Sequence, residues 1–188
     1  MSHANVLSVK TQSQSWLRSA GLVILSSFLI GLFAKVSIPL PFTPVPIATQ
    51  GIVVLILSVL LGPKRAVAAV LGFLAQGAAG LPVFAGGAAG MVKLFGPTGG
   101  YLFGYLVAAF LVGYLAEKIQ NRTPTQLFWI LAAGNATFFL FDVPCLAAYV
   151  GLKNALLLGL APFVIGDLLK LFAGVKILQW MAPLFRKI

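Results

Sequence analysis

The sequence predicts an all-α integral membrane protein with six transmembrane helices. The chain of 188 residues is 60% hydrophobic and only 9% charged, and its mean hydropathy is +1.04. A water-soluble domain of this size has too little polar surface to cover that much apolar material. The apolar residues form continuous runs of about 20, which is the helix length that crosses a hydrocarbon core of about 30 Å. The runs do not alternate as the strands of a membrane β-barrel do.

Six apolar segments follow a polar N-terminal tail, residues 1–16, which we predict to be cytoplasmic. The predicted transmembrane helices are residues 17–36, 45–61, 65–79, 98–116, 126–149 and 161–184. The third segment is short and rich in alanine and glycine, a composition that favours close packing inside a bundle. Residues 17–188 are therefore predicted to form one transmembrane domain.

The distribution of basic residues predicts that both termini are cytoplasmic. Eight basic residues lie at the ends of the segments on one side: Lys10, Arg18, Lys64, Arg65, Lys118, Arg122, Arg186 and Lys187. Three lie on the other side: Lys35, Lys93 and Lys153. Lysine and arginine are enriched in cytoplasmic loops, so the richer side is assigned to the cytoplasm. The net charge of +10 is thereby explained by topology, and binding to nucleic acid is not predicted.

Two external connections have an unusual composition. Residues 38–46 contain four prolines, which cannot continue a helix and favour a stiff extended segment. Residues 80–100, here called loop 3, form a long connection that is rich in glycine and yet apolar. Non-helical backbone at membrane depth is tolerated only where protein buries it or water lines it. We therefore predict that loop 3 acts as a lid over a pocket, with a purely structural re-entrant loop as the alternative.

Asp167 and Lys170 are an ionisable pair inside the last predicted helix. Their i,i+3 spacing puts the carboxylate and the ammonium on one helical face. An ionisable residue at mid-membrane costs about 2.5–3.5 kcal/mol on insertion scales, and it is usually found facing a partner or a wet cavity. The pair therefore predicts a polar site within the membrane. The alternative is a charge pair that only holds helices together.

Other polar and aromatic residues are predicted to lie in the same external half. Gln50, Tyr101 and Asp142 lie near the outer ends of the second, fourth and fifth segments, and Phe42 and Phe84 lie in the two unusual loops. An aromatic wall of Phe42, Phe84 and Tyr101 with a few hydrogen-bonding groups and one cation suits a small, partly apolar, anionic ligand.

Several classes of protein lack their motifs in this sequence. Residues 62–65 are the closest approach to a phosphate-binding loop and do not satisfy that pattern. Cys145 is the only cysteine and His3 the only histidine, so neither a disulfide nor a metal cluster is predicted. The serines inside the segments are not paired with a lysine, as an intramembrane hydrolase would require. We predict that the chain is not an enzyme and has no cofactor.

Five strings occur in a fixed order along the chain. They are residues 38–47 (IPLPFTPVPI), 60–65 (LLGPKR), 80–87 (GLPVFAGG), 96–101 (GPTGGY) and 162–170 (PFVIGDLLK). Together they resemble the BioY family, the biotin-specific substrate-binding component (S-component) of energy-coupling-factor (ECF) transporters. The likeness runs from about residue 20 to residue 182.

The resemblance implies a six-helix substrate-binding domain, residues 17–188, that binds biotin from outside beneath loop 3. It also implies a location in the cytoplasmic (inner) membrane, in contact with membrane lipids, and a partnership with a transmembrane coupling protein and ATPase subunits. The absence of a nucleotide motif fits a subunit whose energy comes from elsewhere.

Residues of this chain match the family's motifs at the expected positions. Asp167 and Lys170 match the polar pair of the last helix, and the resemblance implies that they hold the polar end groups of biotin. The further substrate-binding residues that it implies are Gln50, Phe84, Gly86 and Gly87, and Tyr101 is predicted to bind substrate from its place in the aromatic wall.

Some alternatives stay open at the level of sequence. The chain could be a stand-alone secondary transporter of biotin, or an S-component for a different small vitamin. A secondary transporter needs a proton or sodium site, for which Asp142 is the extra candidate. Ser27 and Gly31 are small residues at helical spacing that would admit a partner helix, although packing within the chain explains them equally well.

Overall fold

The computed structural model describes residues 3–119 and 122–185, with side chains described for residues 16–119 and 122–181. Within these residues, seven elements are α-helices: α1 (His3–Ala34), α2 (Gln50–Ala78), α3 (Met91–Leu94), α4 (Gly99–Lys118), α5 (Pro124–Val150), α6 (Leu152–Gly159) and α7 (Phe163–Phe185). Two elements of the same described ranges are strands: β1 (Ser37–Leu40) and β2 (Thr43–Ala48). The predicted charges Arg186 and Lys187 lie outside the described residues.

The described helices are those of a multi-pass membrane protein. Four are long and apolar enough to cross a membrane, namely Trp16–Ala34 of α1 together with α2, α4 and α5. The pair Leu152–Gly159 and Phe163–Met181, bent by 43°, is a fifth candidate. The helix α1 begins at His3, so residues 3–16 of the predicted tail continue the first helix without a break.

Gly62 divides α2 into two helical segments. Its φ of 74° and ψ of 172° are not helical and suit glycine, and Pro63 then occupies the first turn of the next segment, where proline is favoured. Gln50 and Phe84 line one cavity, and the Phe84 ring packs on Gly77. A straight helix would hold Gln50 and Gly77 about 40 Å apart at 1.5 Å per residue, so the chain folds back at Gly62. This break falls within the predicted link between the second and third segments.

The proline-rich connection is a two-stranded antiparallel sheet. Ser37 pairs with Ala48 and Leu40 with Thr43, with an irregularity between Ile38 and Leu40. The fold is therefore not entirely α-helical, and residues 45–48 belong to β2 instead of the predicted second helix. Extended backbone was predicted here, but strand pairing was not, because proline removes donors and is confined to sheet edges or bulges. In a two-stranded sheet both strands are edges.

Loop 3 is folded against the bundle and contains short helical turns, a 3₁₀ turn at Ala85–Gly87 and α3. The N–H of Gly90 donates to the carbonyl of Gly77 at 2.7 Å. Phe84 is 0% exposed. Its ring meets Phe73 edge to face with centroids 5.4 Å apart. Loop 3 therefore contributes to the hydrophobic core.

The small residues of α1 pack within the chain. A Cβ on Gly31 would lie 3.0 Å from the Cβ of Val83, and the Ser27 hydroxyl accepts a hydrogen bond from Gln76 Nε2 at 2.8 Å. This packing explains Ser27 and Gly31 without a partner helix.

Candidate functional site

An inner cavity with a volume of about 70 Å³ lies among α2, α4, α5 and α7. Residues of β2 and loop 3 also line it, so the two unusual connections form part of its wall. Most of its wall is apolar or aromatic, and a few polar groups converge on it, as is typical of small-molecule sites.

The charged end of this cavity is built by α5 and α7. The Lys170 ammonium lies 3.0 Å from Oδ1 of Asp167, with both side chains largely buried (24% and 14% exposed). Asn135 Nδ2 donates to Oδ2 of the same carboxylate at 3.1 Å. Each carboxylate oxygen thus accepts one bond and retains capacity for another. The cluster offers a ligand both an anionic acceptor and a cationic donor.

A second polar group comes from the first turn of α2. Gln50 is buried, and its Nε2 donates to the hydroxyl of Tyr105 at 2.9 Å. Its Oε1 is buried without a hydrogen-bond partner. An unpaired buried acceptor costs about 1–3 kcal/mol. A ligand N–H that enters the cavity would remove that cost.

Loop 3 places Phe84 in the cavity wall, and Gly77 makes room for it. A Cβ on Gly77 would overlap the Phe84 ring. Tyr105 and Phe138, which meet edge to face with centroids 4.8 Å apart, form another part of the wall. Phe42, which the sequence placed in an aromatic wall, is 57% exposed and does not line the cavity, because it lies at the turn between β1 and β2.

Tyr101 joins the cavity to α5 and α6. Its hydroxyl donates to the carbonyl of Gly159 at 3.1 Å, and its N–H donates to Oδ1 of Asp142 at 3.3 Å. Asp142 is 0% exposed and is not among the residues that line the cavity. Its carboxyl group meets the first turn of α4, where a helix presents unpaired N–H groups. Asp142 therefore joins α5 to α4 and does not face the ligand space.

The structure brings five of the seven predicted site residues together around the inner cavity: Gln50, Phe84, Tyr101, Asp167 and Lys170. The remaining two, Gly86 and Gly87, line a separate outer cavity of about 740 Å³ between the β-hairpin and loop 3.

Sequence reasoning missed Asn135, Tyr105 and Lys93, which also line the inner cavity. Asn135 is an amide in the middle of an apolar segment, and the criterion that identified Gln50 would have found it. Tyr105 and Lys93 carry no such signal, because tyrosine is common in apolar helices and the lysine was assigned to a loop. Within the described residues no group of histidine, cysteine and carboxylate side chains could hold a metal ion.

Comparisons with known proteins agree along nearly the whole chain. Residues 4–187 match the sequence model of a family described as the BioY family. A protein of Thermotoga maritima named biotin transporter BioY is 40% identical over 153 residues, which cover 79% of this chain and 86% of that protein. A probable biotin transporter BioY of Pyrococcus horikoshii is 33% identical over 162 residues, covering 86% and 94% respectively.

One solved structure has the same fold. It is the crystal structure, at 2.1 Å, of the S-component for biotin from an ECF-type ABC transporter. It matches this chain with a TM-score of 0.81 and 26% identity, covering 90% of this chain and 93% of that one.

Proposed function

The chain belongs to the BioY family, and on that premise we propose that it binds biotin with high affinity and takes it up as the S-component of an ECF-type transporter. The observation that carries this proposal is the polar cluster of Asp167, Lys170 and Asn135 in a largely apolar inner cavity. The relatives are named transporters, which agrees with the prediction that the chain is not an enzyme.

The chemistry of biotin suits the inner cavity. Biotin has a ureido group with two N–H donors and one carbonyl acceptor, an apolar fused ring system, and a carboxylate on a flexible arm. A carboxylate beside an ammonium, as in Asp167 and Lys170, complements a ureido N–H beside a ureido carbonyl. The free Oε1 of Gln50 can accept from the second ureido N–H. We propose that the ureido group lies here and that Phe84 and Tyr101 enclose the apolar rings.

We propose six transmembrane segments with both termini in the cytoplasm and loop 3 as the external lid. The five candidate spans become six when the two segments of α2, separated at Gly62, are counted individually. The basic residues support the orientation, with eight on the cytoplasmic side against three outside. The position of loop 3 supports the lid assignment, since its Phe84 and Ala85 line the cavity.

The proposed setting is the cytoplasmic membrane, where the chain contacts lipids and joins a transmembrane coupling protein and ATPase subunits. The sequence has no nucleotide-binding motif of its own. The outward face of α1 carries large exposed apolar side chains, among them Leu25 (65% exposed) and Leu32 (60% exposed). Such a face suits lipid or another membrane helix.

Calorimetry on the purified chain in a neutral detergent tests the proposed ligand. We expect biotin to bind with a dissociation constant near 1 nM, which corresponds to about −12 kcal/mol. No heat with biotin, together with a response to thiamine or riboflavin, would reassign the chain to another vitamin. Uptake of labelled biotin by vesicles containing this chain alone, with and without a proton gradient, separates an S-component from a stand-alone secondary transporter.

A further inference from the structure

We propose that the outer cavity is a capture site for the carboxylate of the incoming substrate, held there by Lys35 and Lys93 before the substrate enters the inner cavity. This inference rests on the proposed function, because biotin supplies the carboxylate. It adds an entry step and two residues that the binding cluster does not include.

The two cavities share a boundary. Pro46 of β2, together with Ala85 and Lys93 of loop 3, lines both of them. The outer cavity is about 740 Å³ against about 70 Å³ for the inner one, and the side chains of Lys35 and Pro39 in its wall are exposed. A molecule that arrives from the outer cavity therefore meets the inner one at Lys93.

The outer cavity is cationic. Lys35 follows the end of α1, Lys93 lies in α3, and both line the cavity. Neither ammonium has an ion-pair or hydrogen-bond partner in the described part of the chain. Lys93 is half-buried as a residue, and a carboxylate in the outer cavity would give its ammonium an ion-pair partner.

The acidic side chains of the chain lie away from the outer cavity. Only Glu117, Asp142 and Asp167 are acidic. Asp167 is paired with Lys170, Asp142 is fully buried against α4, and Glu117 lies beside Gly62 at the opposite end of the bundle. Among the described residues, the wall of the outer cavity consequently has two positive charges and no negative side chain.

A cleft of one charge sign concentrates ligands of the opposite sign and raises the association rate constant by roughly 10–10³-fold, with strong dependence on salt. The substrate of this chain is an anion whose ureido end is proposed to lie deep, at Asp167 and Lys170. Its carboxylate then trails toward Lys93. The outer cavity and the inner cavity are thus two successive sites on the path by which biotin enters.

Rapid filtration of radiolabelled biotin on the purified full chain tests the proposal. The variants are Lys35→Gln, Lys93→Gln and the double substitution, with Lys35→Arg and Lys93→Arg to keep the charge. Lys153→Gln is the matched control, because Lys153 is an exposed lysine assigned to the same side that lines neither cavity. Association is measured at about 20 mM and about 500 mM salt, where the screening length differs several-fold.

We expect the double variant to associate with biotin about tenfold more slowly than the unsubstituted chain at low salt, and the difference to shrink at high salt. The arginine variants and Lys153→Gln should associate at the normal rate. Biotin methyl ester, which has no charge, should associate at the same rate with every variant. If a Lys93 variant does not fold, Lys35→Gln alone can still be tested, because Lys35 is exposed and its substitution should not disturb folding. We expect this variant to associate with biotin severalfold more slowly.

Three results would overturn the inference. A normal association rate for the double variant at low salt would show that the two lysines do not accelerate the binding of biotin. Equal slowing of biotin and its methyl ester would show that the substitutions act through shape. Either of these two results leaves the proposed function intact, provided that the unsubstituted chain binds biotin. The third result, no binding of biotin by the unsubstituted chain, would overturn both the proposed function and this inference.

Discussion

Asn135 of α5 donates from Nδ2 to Oδ2 of Asp167 in α7 at 3.1 Å, which makes the amide the polar link between these two helices. The ion pair of Asp167 and Lys170 lies within α7 alone. A salt bridge within one helix cannot hold two helices together. If Asp167 serves to join helices, it does so through its hydrogen bond with Asn135 and not through Lys170.

Asp167→Asn and Lys170→Met should each weaken biotin binding by about 2–5 kcal/mol, because each leaves a polar group of the ligand unpaired in a buried site. Thermal stability without ligand should fall as well, because each substitution leaves the other member of a largely buried ion pair without its partner, so the loss of affinity is the result that identifies a binding role. Calorimetry and thermal unfolding on the same preparations measure both effects. Normal affinity with a depressed melting temperature would remove the binding assignment.

Asn135→Ala should lower the stability of the ligand-free chain by about 1.5–3 kcal/mol, the range for a hydrogen bond to a charged group. It should weaken biotin binding less than Asp167→Asn does, because the carboxylate stays in place beside Lys170. Thermal unfolding with and without biotin measures the two effects. Asn154→Ala is the control, since exposed Asn154 donates to the nearby carbonyl of Val150 at the end of α5 and not to a charged group, and an equal loss there would make the Asn135 effect nonspecific.

Gly77→Ala should displace the Phe84 ring and destabilise the chain by about 1–3 kcal/mol, as overpacked cores do. Biotin affinity should fall as well, because Phe84 lines the inner cavity. Gly21→Ala is the matched control, as a Cβ at Gly21 of α1 meets nothing within 4 Å. Adding Phe84→Leu to Gly77→Ala should restore part of the lost stability, and a purely additive double variant would contradict the proposed overlap.

Cysteine labelling checks the orientation of the chain. In a Cys145→Ser background, Ala88→Cys in loop 3 should react with a membrane-impermeant maleimide added to intact cells. Thr125→Cys, at the exposed start of α5, should react only after the cells are opened. Reversed labelling would place both termini outside and would overturn the assignment made from the basic residues.

Two kinds of residue made parts of the structure predictable from the sequence: charged residues inside apolar segments, and glycine and proline residues that end a helix. Asp167 and Lys170 stood out because ionisable groups inside an apolar run have few alternatives to a polar site, and the Gly62-Pro63 pair marked a place where a helix cannot continue. The β-hairpin was not predicted, because proline lacks an N–H donor and is normally evidence against a paired strand. Asn135 carries the same signal as Gln50, an amide in an apolar run, but its role could not be predicted because its partner Asp167 is 32 residues away.

The prolines of the β-hairpin have a consequence for the behaviour of the protein in a crowded membrane. Pro39 in β1 and Pro44 and Pro46 in β2 have no N–H group, so the free edges of this sheet lack the regular row of donors that another strand would need. Edge-to-edge pairing between the hairpins of two copies is therefore disfavoured. The prolines thus reduce the tendency of this short sheet to pair with the sheet of another molecule and to start aggregation.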